Sequence, residues 1–366
     1  MIGDLWRWTR DPIPLLTERA ATAPVFELRL WRRGIVGYRP EWNRAVLGDL
    51  AAFRAAGSLS GLTPYLSGGV VHADVPEHDE RRRVLNPHFH NRSLAALLGR
   101  LDEVAARYAP PAEFEALEWA ADVVRRLLNA AFFGGRVPDR LLRSFLVPLH
   151  RPMPHPLLPR PRLFRRVDEH IAAVLADPPP GTLAAALTGL PDAVEEIRVA
   201  LAAGYDTTTH SLAWAAWQLA GAPEWRTPDA LPAVLDEVLR LYPAGWIGSR
   251  VAAADVSVAG ADIPAGTLVL YSPYLTHRDP ELWPDPGAFR PERFTATGPA
   301  RPAWGFLPFS AGRRTCLGAH LARAMLGAAL RPCLTGRLSQ VSGDPTPQAG
   351  LTLRPRGPLR MIRPPR

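Results

Sequence analysis

Apolar and polar positions alternate with period two early in the chain. Val25-Phe-Glu-Leu-Arg-Leu-Trp31 is followed by Gly34-Ile-Val-Gly-Tyr38, the pattern of a hairpin. Beyond it the period lengthens. Residues 42–50, 78–98 and 113–133 carry the spacing of amphipathic helices. Residues 151–162 hold prolines at 152, 154, 156, 159 and 161 and are expected to be an irregular loop, because each proline removes a donor and restricts its predecessor. The longest helical pattern runs from Asp192 to Ala220 and stops at Gly221-Ala-Pro223. Asp192 can cap it, with Glu195 completing a capping-box-like arrangement. A second helix covers 229–242, ended by Pro243. Strand-like runs follow at 249–253, 256–258 and 268–272, and helix returns over 317–331. This order predicts a mostly α fold with minor β: one large helical domain with small sheets over residues 1–366.

Composition narrows the class. With 366 residues and a hydrophobic fraction of 47%, the chain can bury a large core. No run of 18 apolar residues occurs, so no transmembrane segment is expected. Met1 to Arg10 lacks the apolar core of a signal peptide, which makes a cytoplasmic monomer the default expectation. The net charge of +8 is carried by arginine, with no lysine, beside 40 prolines. The arginines are scattered, apart from Arg81–Arg83 and the run from Arg354 to Arg366, and do not form the clustered basic face with aromatics that nucleic acid requires.

The two cysteines, Cys316 and Cys333, argue against a disulfide framework, and zinc-type CxxC or haem-attaching CxxCH spacing is absent. Cys333, between Pro332 and Leu334, reads as packing. Cys316 differs. It lies in Phe309-Ser-Ala-Gly-Arg-Arg-Thr-Cys-Leu-Gly318, flanked by arginine at an expected helix start, surroundings that lower a thiol pKa. Gly312 and Gly318 let backbone approach a flat ligand and turn N–H groups toward the sulfur. Arg314 can pair with an anionic group, and Phe309 can pack beneath a cofactor.

The pattern Phe-x-x-Gly-x-Arg-x-Cys-x-Gly resembles the haem-binding loop of cytochromes P450, bacterial soluble type. The resemblance implies that Cys316 is the iron ligand of haem b, where a thiolate pushes electron density onto the metal and favours O–O cleavage. Other segments agree. Glu237 and Arg240 lie one helical turn apart, and Arg293 follows in Phe289-Arg-Pro-Glu-Arg-Phe294. They resemble the family's Glu-Arg-Arg triad, which braces the fold. Ala203-Gly-Tyr-Asp206-Thr207-Thr208 weakens a helix locally and resembles the oxygen-activation motif. That likeness implies that Thr207 holds a hydrogen-bonded water and that Asp206 relays protons inward. His78 and Arg82, four apart on one helix face, resemble the bacterial propionate-binding pair, with Arg250 a further propionate partner and Arg81 and Arg83 in solvent.

The implied activity is a monooxygenase inserting one oxygen atom from O2. No flavin or iron–sulfur motif is present, so electrons from NAD(P)H must arrive through a ferredoxin or flavodoxin, drawn by Arg313 and Arg323. Candidate pocket segments are 54–71, 151–164, 201–205 and 243–248, contributing Tyr65, Phe164 and Trp246 with few charges, while Arg54, Arg160 and Arg162 are expected in solvent. An elongated apolar substrate follows. The runs 239–246 and 271–280 resemble carotenoid-hydroxylating members, with other terpenoids, fatty acids or a secondary-metabolite scaffold left open as substrates. The alternative is a haem-thiolate sensor or electron carrier, which would have no use for Asp206-Thr207.

Overall fold

A computed structural model describes residues 2–58, 64–66, 68–150, 158 and 160–364. Its helices are α1 (Ile2–Arg10), α2 (Pro12–Ala20), α3 (Pro40–Gly48), α4 (Glu77–Leu85), α5 (Asn91–Arg107), α6 (Ala116–Phe133) and α7 (Asp139–Leu146). They continue with α8 (Pro161–Ala176), α9 (Leu183–Leu187), α10 (Ala193–Gly221), α11 (Leu231–Leu241), α12 (Pro273–Thr276) and α13 (Ala319–Leu330). The strands are β1 (Val25–Arg29), β2 (Arg33–Gly37), β3 (Phe53–Arg54), β4 (Glu113–Glu115), β5 (Gly248–Ala252) and β6 (Val256–Val258). After them come β7 (Ala261–Ile263), β8 (Leu268–Tyr271), β9 (Ser339–Gly343), β10 (Pro347–Ala349), β11 (Leu353–Pro355) and β12 (Leu359–Ile362). The mostly α reading with small sheets is correct.

α10, 29 residues long, is the axis of the core. Leu201, Tyr205 and Leu212 on one side of it and Trp214 on the opposite side are all fully buried. A helix enclosed all round needs no single apolar stripe, which is why its sequence is rich in Ala and Leu throughout. α6 packs along it, and α11 and α13 pack elsewhere on its length. Trp214 stacks on Tyr242 with ring centroids 4.2 Å apart and planes 11° from parallel.

Five strands form the main sheet in the order β1-β2-β8-β5-β3, with the expected β1–β2 hairpin at its edge. β2 and β8 run parallel, and β5 and β8 antiparallel. All four residues of β8 are buried, the near-continuous apolar run of a central strand. Trp42 of α3 is fully buried and donates from Nε1 to the Leu270 carbonyl at 2.9 Å. Its indole occupies the space where a Cβ on Gly37 would stand, 2.2 Å from the ring.

Several local expectations are corrected. Asp192 does not cap α10: its φ of 55° is left-handed and its side chain makes no cap hydrogen bond, lying instead 3.4 Å from Arg81. The stretch 78–98 is two helices, α4 and α5, because Pro87 interrupts the ladder. Residues 113–115 form β4 before α6 begins, where the Glu115 carboxylate accepts the Glu118 N–H at 2.7 Å. In the proline-rich loop, residues 151–157 and 159 lie outside the described residues, whereas Pro161 opens α8, a position where its missing N–H costs nothing. Among the described residues, no helix is long and apolar enough to cross a membrane.

Candidate functional site

The loop 309–318 is shaped by its own backbone. The Cys316 N–H donates to the Phe309 carbonyl at 2.8 Å, and the Thr315 hydroxyl donates to the Gly312 carbonyl at 2.7 Å. Gly312 has φ 68°, and a Cβ there would meet the Leu47 carbonyl oxygen at 2.7 Å, so both conformation and space require glycine. Cys316 precedes α13 by three residues, with its sulfur open to a cavity yet hemmed in by protein atoms. Burial pushes the thiol up, and the Gly318 N–H and the Arg82 guanidinium pull back without restoring the ordinary value. The expectation of a lowered thiol pKa in the protein alone is therefore reversed: desolvation outweighs the two favourable neighbours.

The cavity holds about 930 Å³. Phe309, Arg314, Cys316 and Gly318 line it, together with His78 and Arg82 of α4 and Arg250 of β5. α10 contributes Ala203, Gly204 and Thr207, and the turn after α11 contributes Trp246 and Ile247. Most of the remaining wall is apolar.

The cations at this cavity are under-partnered. Arg314 reaches the Val71 and Ala73 carbonyls and lies 3.2 Å from Asp74, and Arg250 donates to the Ser249 carbonyl at 2.8 Å. The Nε atoms of Arg82, Arg250 and Arg314 are buried with no acceptor among the described residues. Burial, then the Arg250 charge, pushes the Arg314 guanidinium down to about 10. His78 is pushed down to about 4 by burial, with Arg314 and Arg82 adding to it. Buried cations facing one another call for an anionic ligand. A flat tetrapyrrole bearing two carboxylates, its metal on a thiolate, meets both demands, so the residues present fit haem.

Glu237, Arg240 and Arg293 come together as the sequence suggested. Glu237 and Arg240 are fully buried and paired by two hydrogen bonds of 2.6 and 2.7 Å, and Arg293 Nε lies 3.5 Å from Glu237 Oε1. Arg240 also donates to the carbonyls of His277, Pro286 and Ala288, and Glu237 accepts the Arg290 N–H at 2.8 Å. The set ties α11 to the long segment leading into the cysteine loop.

Thr207 and Asp206 diverge. Thr207 lines the cavity and donates from Oγ1 to the Ala203 carbonyl at 2.7 Å, leaving its lone pairs free to accept from a water. Asp206 is not part of the cavity wall. Its carboxylate accepts the Thr352 hydroxyl at 2.7 Å and lies 2.6 Å from His150 Nδ1 and 3.8 Å from His210 Nδ1. Burial works to raise the Asp206 carboxyl, but His210, His150 and Thr352 together hold it below the usual carboxylate range. The expected inward-facing relay residue thus lies beside the cavity-facing side of its helix, turned toward His150 and Thr352.

Other expectations need revision. Arg81 is not in solvent; it pairs with Glu77 and with the buried Glu196, each at 2.8 Å. Tyr65 and Phe164 are not pocket wall but pack with Phe145 in an aromatic cluster. Arg313 pairs with Asp79, and Arg323 with Asp236 at 2.5 Å, so neither is an uncommitted surface cation. Arg54, Arg160 and Arg162 are exposed, as expected. Sequence reasoning missed Leu5, Trp8 and Trp31 in the cavity wall, Glu196, which also accepts the Val70 N–H at 3.1 Å, and His150 beside Asp206. The tryptophans near the N-terminus were the available signal.

The model of the family described as Cytochrome P450 matches residues 229–336. Cytochrome P450 139 of Mycobacterium tuberculosis is 30% identical over 369 residues, covering 84% of this chain and 85% of that one. The chain belongs to the cytochrome P450 family. Cyclooctat-9-en-7-ol 5-monooxygenase of Streptomyces melanosporofaciens is 28% identical over 431 residues, covering 100% of this P450 and 94% of that enzyme. A 6-coordinated cytochrome P450 from Thermus thermophilus superposes with a TM-score of 0.80 at 25% identity, covering 97% and 99% of the two chains. This P450 is accordingly an oxidoreductase of the haem monooxygenase kind.

Proposed function

We propose that this P450 inserts one oxygen atom from O2 into an elongated apolar substrate, a carotenoid or another terpenoid, with Cys316 as the iron ligand. The observation that carries the reading is one cavity that joins a cysteine and buried, under-partnered arginines at one part of its wall to apolar side chains over most of the rest. Bound haem would supply the activation of dioxygen. Around it, His78, Arg82, Arg250 and Arg314 would hold the carboxylate groups, and Phe309 and Gly318 would pack against the ring.

Thr207 would accept a hydrogen bond from water in the cavity and keep it in place, while the Asp206 carboxylate would take up a proton from solvent, turn from its partners and replace the proton that water gives up. Glu237, Arg240 and Arg293 would act structurally, fixing the cysteine loop. Electrons from NAD(P)H would come through a ferredoxin or flavodoxin. With Arg313 and Arg323 already paired, the docking face would depend on other surface cations. The apolar lining and a relative named for oxidising cyclooctat-9-en-7-ol both support an apolar substrate.

The test is spectroscopic. The reduced protein under carbon monoxide should absorb at the long wavelength of thiolate-ligated haem, and Cys316→Ser should abolish that band. A surviving band removes Cys316 as the ligand. Titration of carotenoids, terpenoids and fatty acids against the haem spectrum, followed by product analysis with a reconstituted donor, then selects the substrate class.

A further inference from the structure

His150, Asp206 and His210 meet outside the cavity wall. Asp206 and His210 stand four residues apart on one face of α10, and His150 ends the short turn Val147–His150 that follows α7. One nitrogen or oxygen atom from each of the three lies within 4.8 Å of the other two, the only such group among the described residues. The side chains of Asp206 and His210 are 3% and 2% exposed, that of His150 15%, so His150 is the member that meets solvent.

The hydrogen bonds of this group do not close. The Thr352 hydroxyl donates to Asp206 Oδ2 at 2.7 Å, so it must accept from His210 Nδ1, also at 2.7 Å. That fixes the His210 proton on Nδ1 and leaves Nε2 with a lone pair and no donor among the described residues. Asp206 Oδ1 faces His150 Nδ1 at 2.6 Å, off the line that a hydrogen bond needs, and neither ring nitrogen of His150 has a hydrogen-bond partner among those residues. Buried polar atoms rarely go without partners, and a convergent set of them points to a ligand that brings positive charge. Two imidazoles and a carboxylate are a donor set for zinc, with a fourth position left for water. Tetrahedral zinc holds its ligand atoms roughly 3.3–3.5 Å apart at the usual bond lengths, so side-chain shifts of about 1 Å would seat it. Around the group, Thr352 holds two members, the Tyr205 ring packs on His150 with centroids 4.6 Å apart, and Arg354 donates to the His150 carbonyl at 2.8 Å. Outer contacts of this kind orient metal ligands.

We propose that His150, Asp206 and His210 bind one zinc ion, and that the ion clamps Asp206 in its outward position and slows turnover. The clamp rests on the reading of Asp206 as the relay residue; the metal site does not. Zinc suits the group better than magnesium or calcium, because two of the three donors are imidazole nitrogens. At neutral pH, burial keeps His210 neutral and its neighbours keep Asp206 ionised, the forms in which both bind metal.

Equilibrium dialysis with elemental analysis tests the site apart from turnover. Untagged, haem-loaded protein is freed of loosely held metal with a chelator and dialysed against zinc. The expected result is one zinc per haem, and no uptake of magnesium at the same concentration. His150→Gln and His210→Asn should each weaken zinc binding by at least the roughly 10–100-fold that losing an outer-shell partner costs. His150, partly open to solvent, supplies the variant least at risk of misfolding, and each variant is checked by its carbon monoxide spectrum. His90 and His320, both exposed with ring centroids 6.4 Å apart, offer zinc a competing surface pair, and His320→Gln should leave the binding unchanged. The proposal is overturned if the wild-type protein takes up no zinc, if His150→Gln binds it as tightly as wild type, or if His320→Gln abolishes the binding. Zinc should slow product formation by the wild type and not by His150→Gln at the same concentration; an unchanged wild-type rate with zinc bound overturns the clamp. Failure of the monooxygenase reading would appear in the carbon monoxide spectrum and the products without zinc, whatever the dialysis shows.

Discussion

His277 Nε2 accepts the backbone N–H of Leu307 at 2.7 Å, while its Nδ1 faces the Arg240 carbonyl at 3.0 Å and must donate to it. One neutral imidazole therefore joins α11 to the segment just before the cysteine loop. Burial, with Arg240 adding to it, pushes His277 down to about 3. His210, also fully enclosed, is pushed down to about 4, mainly by burial. In the unfolded chain both take up a proton near the ordinary value of 6.5. The unfolded state thus binds more protons between that value and 3 to 4, so stability is full above about pH 6.5 and falls as the pH drops through this window. Urea titrations across that range check it. His277→Phe should flatten the dependence and, by leaving the Leu307 N–H unpaired, lower stability at neutral pH by about 1–3 kcal/mol.

The Glu237–Arg240 pair gives a second prediction. Both side chains are fully buried, so removing one leaves the other charge without its partner in a dry site. Glu237→Ala should cost about 3–5 kcal/mol of stability, read by chemical denaturation. Arg293→Ala should cost less, since Arg293 Nε stands 3.5 Å from Glu237 and Arg240 keeps both of its hydrogen bonds to that carboxylate.

Gly37 gives a third. A methyl group at this position would meet the Trp42 indole at 2.2 Å, and that ring is held by its bond to the Leu270 carbonyl. Gly37→Ala should destabilise the sheet by about 1–3 kcal/mol. If thermal unfolding shows no change, the indole is free to shift and the packing there is looser than the distances imply.

Thr207 and Asp206 can be separated kinetically. Thr207→Ala should leave NAD(P)H consumption largely intact while the fraction of electrons reaching product falls, because a water held there in the proposed relay would lose its acceptor. Asp206→Asn should slow turnover itself, up to about 10²-fold, and enlarge the solvent isotope effect. Equal behaviour of the two variants would count against distinct roles.

The parts of the site that were legible in the sequence are those whose chemistry forces residue type and spacing together. Gly312 must accept a left-handed backbone beside the Leu47 carbonyl, Cys316 must follow at a fixed distance, and Glu237 with Arg240 must lie one turn apart. Long helices were legible for the same reason, since burial writes a periodicity. What was not legible depended on contacts between distant segments. Arg81 looks like one of two solvent arginines flanking Arg82 until Glu196, 115 residues later, is packed against it. Asp192 has the right residue type for a cap, but its left-handed backbone turns the carboxylate toward Arg81. His150 sits at the edge of a proline-rich stretch with no pattern of its own, and only the fold brings it to Asp206. The thiol expectation failed in sign: the favourable neighbours are there, and burial outweighs them.

Asp206 and Thr207 are neighbours in sequence on opposite duties in space, one tied to His150 and Thr352, the other facing the cavity. Successive residues on a helix point about 100° apart, so in the proposed relay a single turn of α10 would work as an airlock. Asp206 is held as the carboxylate by His210, His150 and Thr352. It would have to take up a proton and turn from those partners before giving one to the chamber, and the strength of the hold on one aspartate would set how often the hatch opens.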